Sequence, residues 1–226
     1  MPSMTRATLL STVGSLTGDP NHTRFTSALK LDRIQEAQER FVIDTNVLKD
    51  VNSTITTVAG TASYDLPTDI LDVMRVSHKN IKLTRKSKYD LDVESGTDWS
   101  EDTGTPQSYY IDLDPNNKKI VLYPIPEGSD AGANLIIEYV KIPPTLDTDA
   151  AVPFDGHTLM APYSMAIAYW ASSKLLLIRP DQQALVMSSG YEKQYRELVA
   201  DCIDRFKQMY ETAPMRMRGG RYHKGL

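Results

Sequence analysis

TITTVAGTASYDLPTDILDVMRV, residues 54–76, is the stretch whose reading decides the fold. Ile55 and Val58 bracket a polar run rich in β-branched residues, which suits extended backbone. Ala59-Gly60-Thr61 reads as a short turn, with Gly60 free to take positive φ. Tyr64 and Leu66 flank Asp65, so one face turns to a core and the other to water. Pro67 ends that strand because it has no amide to give to a ladder. Leu71, Val73 and Arg75 then resume the alternation, with Met74 and Val76 expected on the opposite face.

Further β segments follow. Ser108 to Leu113 and Ile120 to Tyr123 are separated by Asp114-Pro115-Asn116-Asn117, a β-turn composition. Pro124-Ile125-Pro126 follows, and Leu135 to Val140 closes the set. Lys79-Asn80 predicts a turn that leads into a strand holding Ile81 and Leu83. Helical patterns lie on both sides of this block. A short helix is expected over residues 4–16 on Leu9, Leu10, Val13 and Leu16, broken by Gly18-Asp19-Pro20-Asn21. Thr26 or Ser27 caps a stronger one, running to Lys49 on Leu31, Ile34, Gln38, Phe41, Thr45 and Leu48. After Lys141–Pro153, a linker with three prolines, Asp155 or Thr158 opens an almost wholly apolar helix, which belongs in the middle of a bundle. Arg179-Pro180 breaks it. Asp181 caps a last helix to Glu211, with Leu185, Tyr191, Tyr195, Leu198, Cys202, Phe206 and Met209 inward. The expected fold class is α+β. Residues 1–50 and 155–213 form one discontinuous bundle of three to four helices, 51–154 an inserted antiparallel β domain, and 214–226 an extended basic tail.

The bulk numbers narrow the function classes. The 226 residues carry a net charge of −4, unlike a polycation built to hold nucleic acid. Residues 214–226 hold Arg216, Arg218, Arg221 and Lys224 and no acid, so the remainder has 21 bases against 29 acids, a net −8. The single cysteine, Cys202, rules out an internal disulfide framework and falls on a core stripe. No apolar run reaches the roughly 20 residues of a membrane span, and the N-terminus lacks the apolar length of a signal peptide.

Chemistry-bearing constellations are missing. There is no phosphate-cradling glycine loop and no H-E-x-x-H helix. Ser15 is misplaced for a nucleophile elbow. His22, His78, His157 and His223 show no metal-ligand spacing. Asp112, Asp114, Asn116 and Asn117 suggest a calcium loop, but the sixth and twelfth positions hold Asn117 and Tyr123 where glycine and glutamate are needed. No metal and no cofactor is expected. Acid pairs such as Asp69 with Asp72, or Glu94 with Asp98, have nothing in sequence to set them apart from surface carboxylates.

Surface patterns offer contacts instead. Glu36, Glu39 and Arg40 lie on the polar face of the second helix, either a solvated face or, in a ring, a subunit interface. Residues 84–107 read as a loop. Lys82, Arg85, Lys86 and Lys88 make a basic cluster there, and Glu94, Asp98, Glu101 and Asp102 an acidic one around Trp99. Trp99 is either the anchor of a solvated loop or a contact for a neighbouring subunit.

In this order and spacing, V-A-G-T-A-S-Y-D-L-P and I-L-D-V-M-R-V (58–76), T-P-Q-S-Y-Y-I-D (105–112), I-V-L-Y-P-I-P (120–126) and L-I-I-E-Y (135–139) resemble the head-to-tail adaptor, or connector, proteins of tailed bacteriophages. The resemblance spans Leu29 to Tyr210. It implies a helical core with a β extension, and a virion structural protein without turnover. It further implies a ring of twelve copies under the portal protein that extends the DNA channel and offers a platform to tail, nozzle or stopper proteins. Genomic DNA would pass through without sequence-specific binding and no membrane would be involved. The protein would act at the head-tail junction after assembly in the host cytoplasm. Met215, Arg216, Met217, Arg218, Arg221, Tyr222 and His223 would bind the portal, with thioether and aromatic groups in grooves and guanidinium forks on acidic side chains. The tail could also be an idle solvated end or touch DNA. The alternative function is a virion-associated peptidoglycan-cleaving connector. A plain nucleic-acid binder fits poorly with the acidic body.

Overall fold

The computed structural model describes residues 4–95, 99–114, 117–178 and 181–211. Asp98, Pro115-Asn116, Arg179-Pro180 and the tail 214–226 lie outside them, as do the readings placed there. The chain is α+β, with five α-helices among the described residues and sheets whose long pairings are antiparallel. It divides into two compact units, Met1–Val47 with Pro144–Leu226, and Leu48–Pro143.

In the first unit, α1 (Arg6–Leu16) starts at Thr5, whose hydroxyl accepts the Thr8 amide at 3.3 Å. Thr26 caps α2 (Ser27–Thr45) in the same way through the Leu29 amide, as expected. This helix buries Ile34, Ala37, Phe41 and Val42, but it stops four residues before the expected Lys49. Asn46 takes the left-handed conformation, φ 52°, with its amide on the Val42 carbonyl at 2.8 Å, and turns the chain away. Leu48, expected on the helical stripe, is instead buried in the second unit.

The apolar helix also starts later than Asp155 or Thr158. Phe154 and Asp155 sit at φ 57° and 58°, and the short 3-10 turns Pro153–Gly156 and Thr158–Tyr163 precede α4 (Ser164–Leu176). As expected for a helix apolar on every side, α4 is central, and it packs on α1, α2 and α5 (Gln182–Glu211). Asp181 caps α5 through the Ala184 amide at 2.7 Å. The inward stripe of α5 is Ala184, Ser188, Tyr195, Cys202 and Phe206. Leu185, expected inward, is 49% exposed. Ala184 and Ser188 take the inward positions on that turn of the helix. The hydroxyls of Ser173 and Ser188 lie 3.2 Å apart, and Ser188 also donates to the Ser173 carbonyl at 3.1 Å.

An aromatic cluster fills the centre of this unit. Phe41 packs on Phe154, Tyr163 and Tyr195 with ring centroids 5.3, 6.0 and 6.3 Å away. Gln38, the polar member of the helical stripe, is fully buried because the linker crosses it. Its amide donates to the Pro144 carbonyl at 2.8 Å and its oxygen accepts the Phe154 amide at 3.0 Å.

The second unit runs β1 (Lys49–Thr56), β2 (Ser63–Asp65), β3 (Ile70–His78), β4 (Ile81–Lys82), β5 (Thr84–Arg85), α3 (Lys88–Ser95), β6 (Thr103–Gly104), β7 (Ser108–Asp114), β8 (Asn117–Tyr123), β9 (Ile125–Pro126) and β10 (Asn134–Lys141). One sheet has the order β1-β10-β3-β4 and another β2-β8-β7-β5, with β6 and β9 as a short pair. Val73, Val76, Leu135, Ile137 and Tyr139 from the first sheet share one core with Tyr64, Tyr109, Ile120 and Leu122 from the second.

The turns fall where the sequence puts them. Gly60 sits at φ 74°, and Lys79-Asn80 at φ 50° and 63°, the paired left-handed geometry of a tight hairpin. The strict alternation through 71–76 fails. Ile70, Val73 and Val76 are buried while Met74 and Arg75 are exposed. Two register shifts against β10, at Leu71 and at Met74, each insert an extra residue and reset the phase. Residues 84–107 are not a bare loop either. Ser87 and Asp90 cap α3 reciprocally: the Asp90 amide donates to the Ser87 hydroxyl at 3.1 Å, and the Ser87 amide to the Asp90 carboxylate at 2.8 Å. The Ser87 amide and the Ser87 hydroxyl both donate to the Asp90 carboxylate and lower its pKa.

Candidate interaction surfaces

Glu36, Glu39 and Arg40 fall together along a groove of about 480 Å³ in the helical unit, where α4 and α5 add Trp170, Lys174, Glu192 and Arg196. Arg40 forks onto Asp44 at 3.0 and 3.1 Å. The same carboxylate accepts the Tyr195 hydroxyl at 2.8 Å. Burial first, and then Asp44, pushes the Tyr195 phenol far above its ordinary value, so it remains a donor. Glu36 pairs with Arg33, and Glu39 accepts from Gln35 at 2.9 Å. Arg196 holds Glu192 at 2.6 Å and lowers its carboxyl. Lys174 lies 5.3 Å over the Trp170 ring. The groove thus sets paired surface charges of both signs around Trp170 and Tyr195. Its α4 and α5 members were not singled out in the sequence. The Glu192/Arg196 spacing of four was the available signal.

Trp99 has a different setting. It is half-buried, edge-on to Tyr110 and Tyr123 at 5.7 and 5.9 Å, and its indole N–H donates to Asp92 at 2.6 Å. With Leu91 and Val121 it forms a small second core beneath α3. The basic cluster separates: Arg85, Lys86 and Lys88 line one groove of the β unit with Lys118, while Lys82 does not.

Several buried titratable groups are held by neighbours inside their own unit. Burial pushes the Cys202 thiol up to about 12, which removes its thiolate at neutral pH. Tyr163 rises to about 12 through burial and its 2.9 Å bond to Asp201. His78 is buried with Nε2 3.3 Å from the Thr57 hydroxyl. Among the described residues no group of three or more His, Cys, Asp or Glu could hold a metal ion. Asp19 and Lys30 form a buried ion pair at 3.0 Å under the α1–α2 loop. Burial alone would raise the Asp19 carboxyl. The Phe25 and Arg24 amides, Lys30 and Thr23 overcome this and hold it well below the carboxylate range. These are structural duties.

The family model described as SU10 adaptor protein matches residues 4–218. The chain belongs to the SU10 adaptor protein family. The match takes in the described parts of both units and extends beyond Leu29–Tyr210 at both ends. It bears out the likeness to phage head-to-tail adaptors drawn from residues 58–139. No curated protein matches the chain. As an adaptor-family member it is assigned to the structural components of a phage particle, with neighbours on the portal and tail sides. No helix among the described residues is long and apolar enough to cross a membrane.

Proposed function

We propose that this chain is the head-to-tail adaptor of a tailed-phage virion. Copies form a ring, twelve in number, under the portal, extend the DNA channel and present a platform to tail, nozzle or stopper proteins. The family match over residues 4–218 carries this reading. In it, the helices of residues 1–50 and 155–213 act as one bundle, residues 51–154 are a β-rich insertion in its sequence, and assembly takes place in the host cytoplasm. The work is geometric and involves no turnover.

The groove of Glu36, Glu39 and Arg40 supports a polar subunit interface, since its exposed pairs of both signs are free to exchange for pairs across a boundary between copies. Such an interface is weak in isolation, so the free chain is a monomer or small oligomer and the ring forms on its template. Trp99 holds the 99–104 segment in one conformation for a neighbouring subunit. Residues 214–226 bind the portal through Met215, Met217 and Tyr222 with Arg216, Arg218, Arg221 and His223. The −8 body keeps the channel wall from gripping phosphates.

The test is sedimentation of the purified chain alone and mixed with portal, followed by deletion of 214–226. Slow sedimentation alone, a ring on portal, and loss of decoration on deletion are expected. A stable free ring at micromolar concentration, or full decoration by the truncated chain, overturns template-driven assembly or the tail anchor respectively.

A further inference from the structure

Two strands of the β unit have stretches with no strand beside them, and both stretches open into the same groove. β4 covers β3 only at Ser77 and His78, with one further bond from the Leu83 amide to the Val76 carbonyl at 2.9 Å. On that side Leu71, Asp72 and Val73 have no strand neighbour among the described residues. β5 covers β7 only at Ser108 and Tyr109 before the chain leaves for α3. Beyond it, Tyr110, Ile111 and Asp112 are likewise open on that side among the described residues. All six residues line one groove of about 470 Å³.

Side chains stand where a strand's amides would. Lys118 Nζ donates to the Ile70 carbonyl at 2.6 Å, and Arg85 reaches the Val73 carbonyl at 3.5 Å. The groove holds four cations, Arg85, Lys86, Lys88 and Lys118, against two carboxylates, Asp72 and Asp112, in a chain that is net −4. The pairs across it are long and half-exposed: Arg85 to Asp72 at 3.3 Å and Lys88 to Asp112 at 3.4 Å. Contacts of this kind exchange readily for an incoming carboxylate. Half-buried Leu71 and Ile111 add apolar lining between them.

We infer that this groove receives an extended acidic segment of a partner protein, added as a strand along the open edge of β3, its carboxylates on Arg85 and Lys88 and its alternate aliphatic side chains on Leu71 and Ile111. Main-chain bonds supply affinity in strand addition, and alternate side-chain pockets supply selectivity. The apolar lining and open backbone edges favour a peptide over a nucleic acid, which would use the cations alone. This site goes beyond the ring-and-portal reading and stands or falls apart from it.

The test uses the full chain and a capped eight-residue peptide of alternating glutamate and valine as probe. Binding is followed by fluorescence anisotropy, and amide exchange is read at 71–73 and 110–112. Saturable binding that weakens with salt, slowed exchange at those amides, and a loss of at least about tenfold in Arg85→Glu with Lys88→Glu are expected. The same peptide with alternate backbone nitrogens methylated should not bind. Asp72→Asn removes the groove's own competitor for Arg85 and should tighten binding, which tests the site even if the double variant folds poorly. The inference is overturned if the methylated peptide binds as well as its parent, if exchange at those amides is unchanged, if Asp72→Asn has no effect, or if a DNA duplex displaces the peptide and shows the same charge dependence.

Discussion

The helical unit and the β unit bury charge differently. The helical unit encloses a complete ion pair, Lys30 on Asp19, and ties two tyrosines of its aromatic cluster to carboxylates, Tyr195 to Asp44 and Tyr163 to Asp201. The main core of the β unit is aliphatic with a few tyrosines, and apart from Lys79 on buried Asp130 its ion pairs lie at the surface. The helical unit is therefore the one with a fully enclosed charge pair to lose on titration. The β unit is sensitive to register, because a strand's two faces exchange with a single inserted residue.

The largest expected effect tests that register. Val76→Asp sets an unpaired carboxylate at a fully buried position and should remove more than about 4 kcal/mol, unfolding the β unit. Met74→Asp, two residues away on the exposed bulge, should stay within about 1 kcal/mol. Urea unfolding of the two variants reads the difference, and equal losses would mean the bulge does not set the phase.

Next is the aromatic centre of the helical unit. Phe41→Ala removes the ring shared by Phe154, Tyr163 and Tyr195 and should cost about 3–5 kcal/mol in the same measurement.

The pH predictions are smaller and fall on the helical unit from both sides. Asp19 has a folded pKa below its unfolded value of about 3.9, so its contribution is complete above that value and is lost as pH falls toward the folded one. The protection of the amides at 23–25 relative to their intrinsic exchange should fall below about pH 4, and Asp19→Asn should flatten that fall while costing stability at neutral pH. Tyr163 is the reverse case. Its raised value makes its contribution complete below about pH 10 and lost as pH climbs toward about 12. Tyr163→Phe should remove that part of the alkaline decline in melting temperature.

The smallest effect is expected at the surface of the β sheet. Arg75 and Glu138 pair at 3.1 Å with both side chains nearly half exposed, so Glu138→Gln should change stability by about 0.2–1 kcal/mol and lose even that in high salt.

Helix periodicity was legible because tertiary contacts rarely disturb a 3.6-residue repeat. Thr26, Asp181 and the all-round apolar α4 could be read from the chain, as could the turns at Gly60 and Lys79-Asn80. The failures have specific causes. Leu185 lost the inward position to Ala184, because the buried stripe of α5 runs one residue out of phase with the apolar spacing there. The helix after Phe25 ended at Asn46 through a left-handed cap that its apolar spacing did not announce. In the candidate surfaces, Glu36, Glu39 and Arg40 were visible as one helical face, but Trp170, Lys174, Glu192 and Arg196 join them only when three helices meet. The cations at 85–88 were visible as a cluster. That they stand beside bare edges of β3 and β7 depended on pairings between residues far apart in the chain.

Local chemistry alone determined the α+β class, the caps and turns, the acidic body with its basic end, and the likeness to phage adaptors, because each depends on neighbours within a few residues or on motif order. The phase of β3, the internal duty of Trp99 and the open groove between β3 and β7 were decided by tertiary structure. A bulge exists only against a partner strand, an aromatic edge only against another ring, and an unpaired strand edge only after every other strand has found its place.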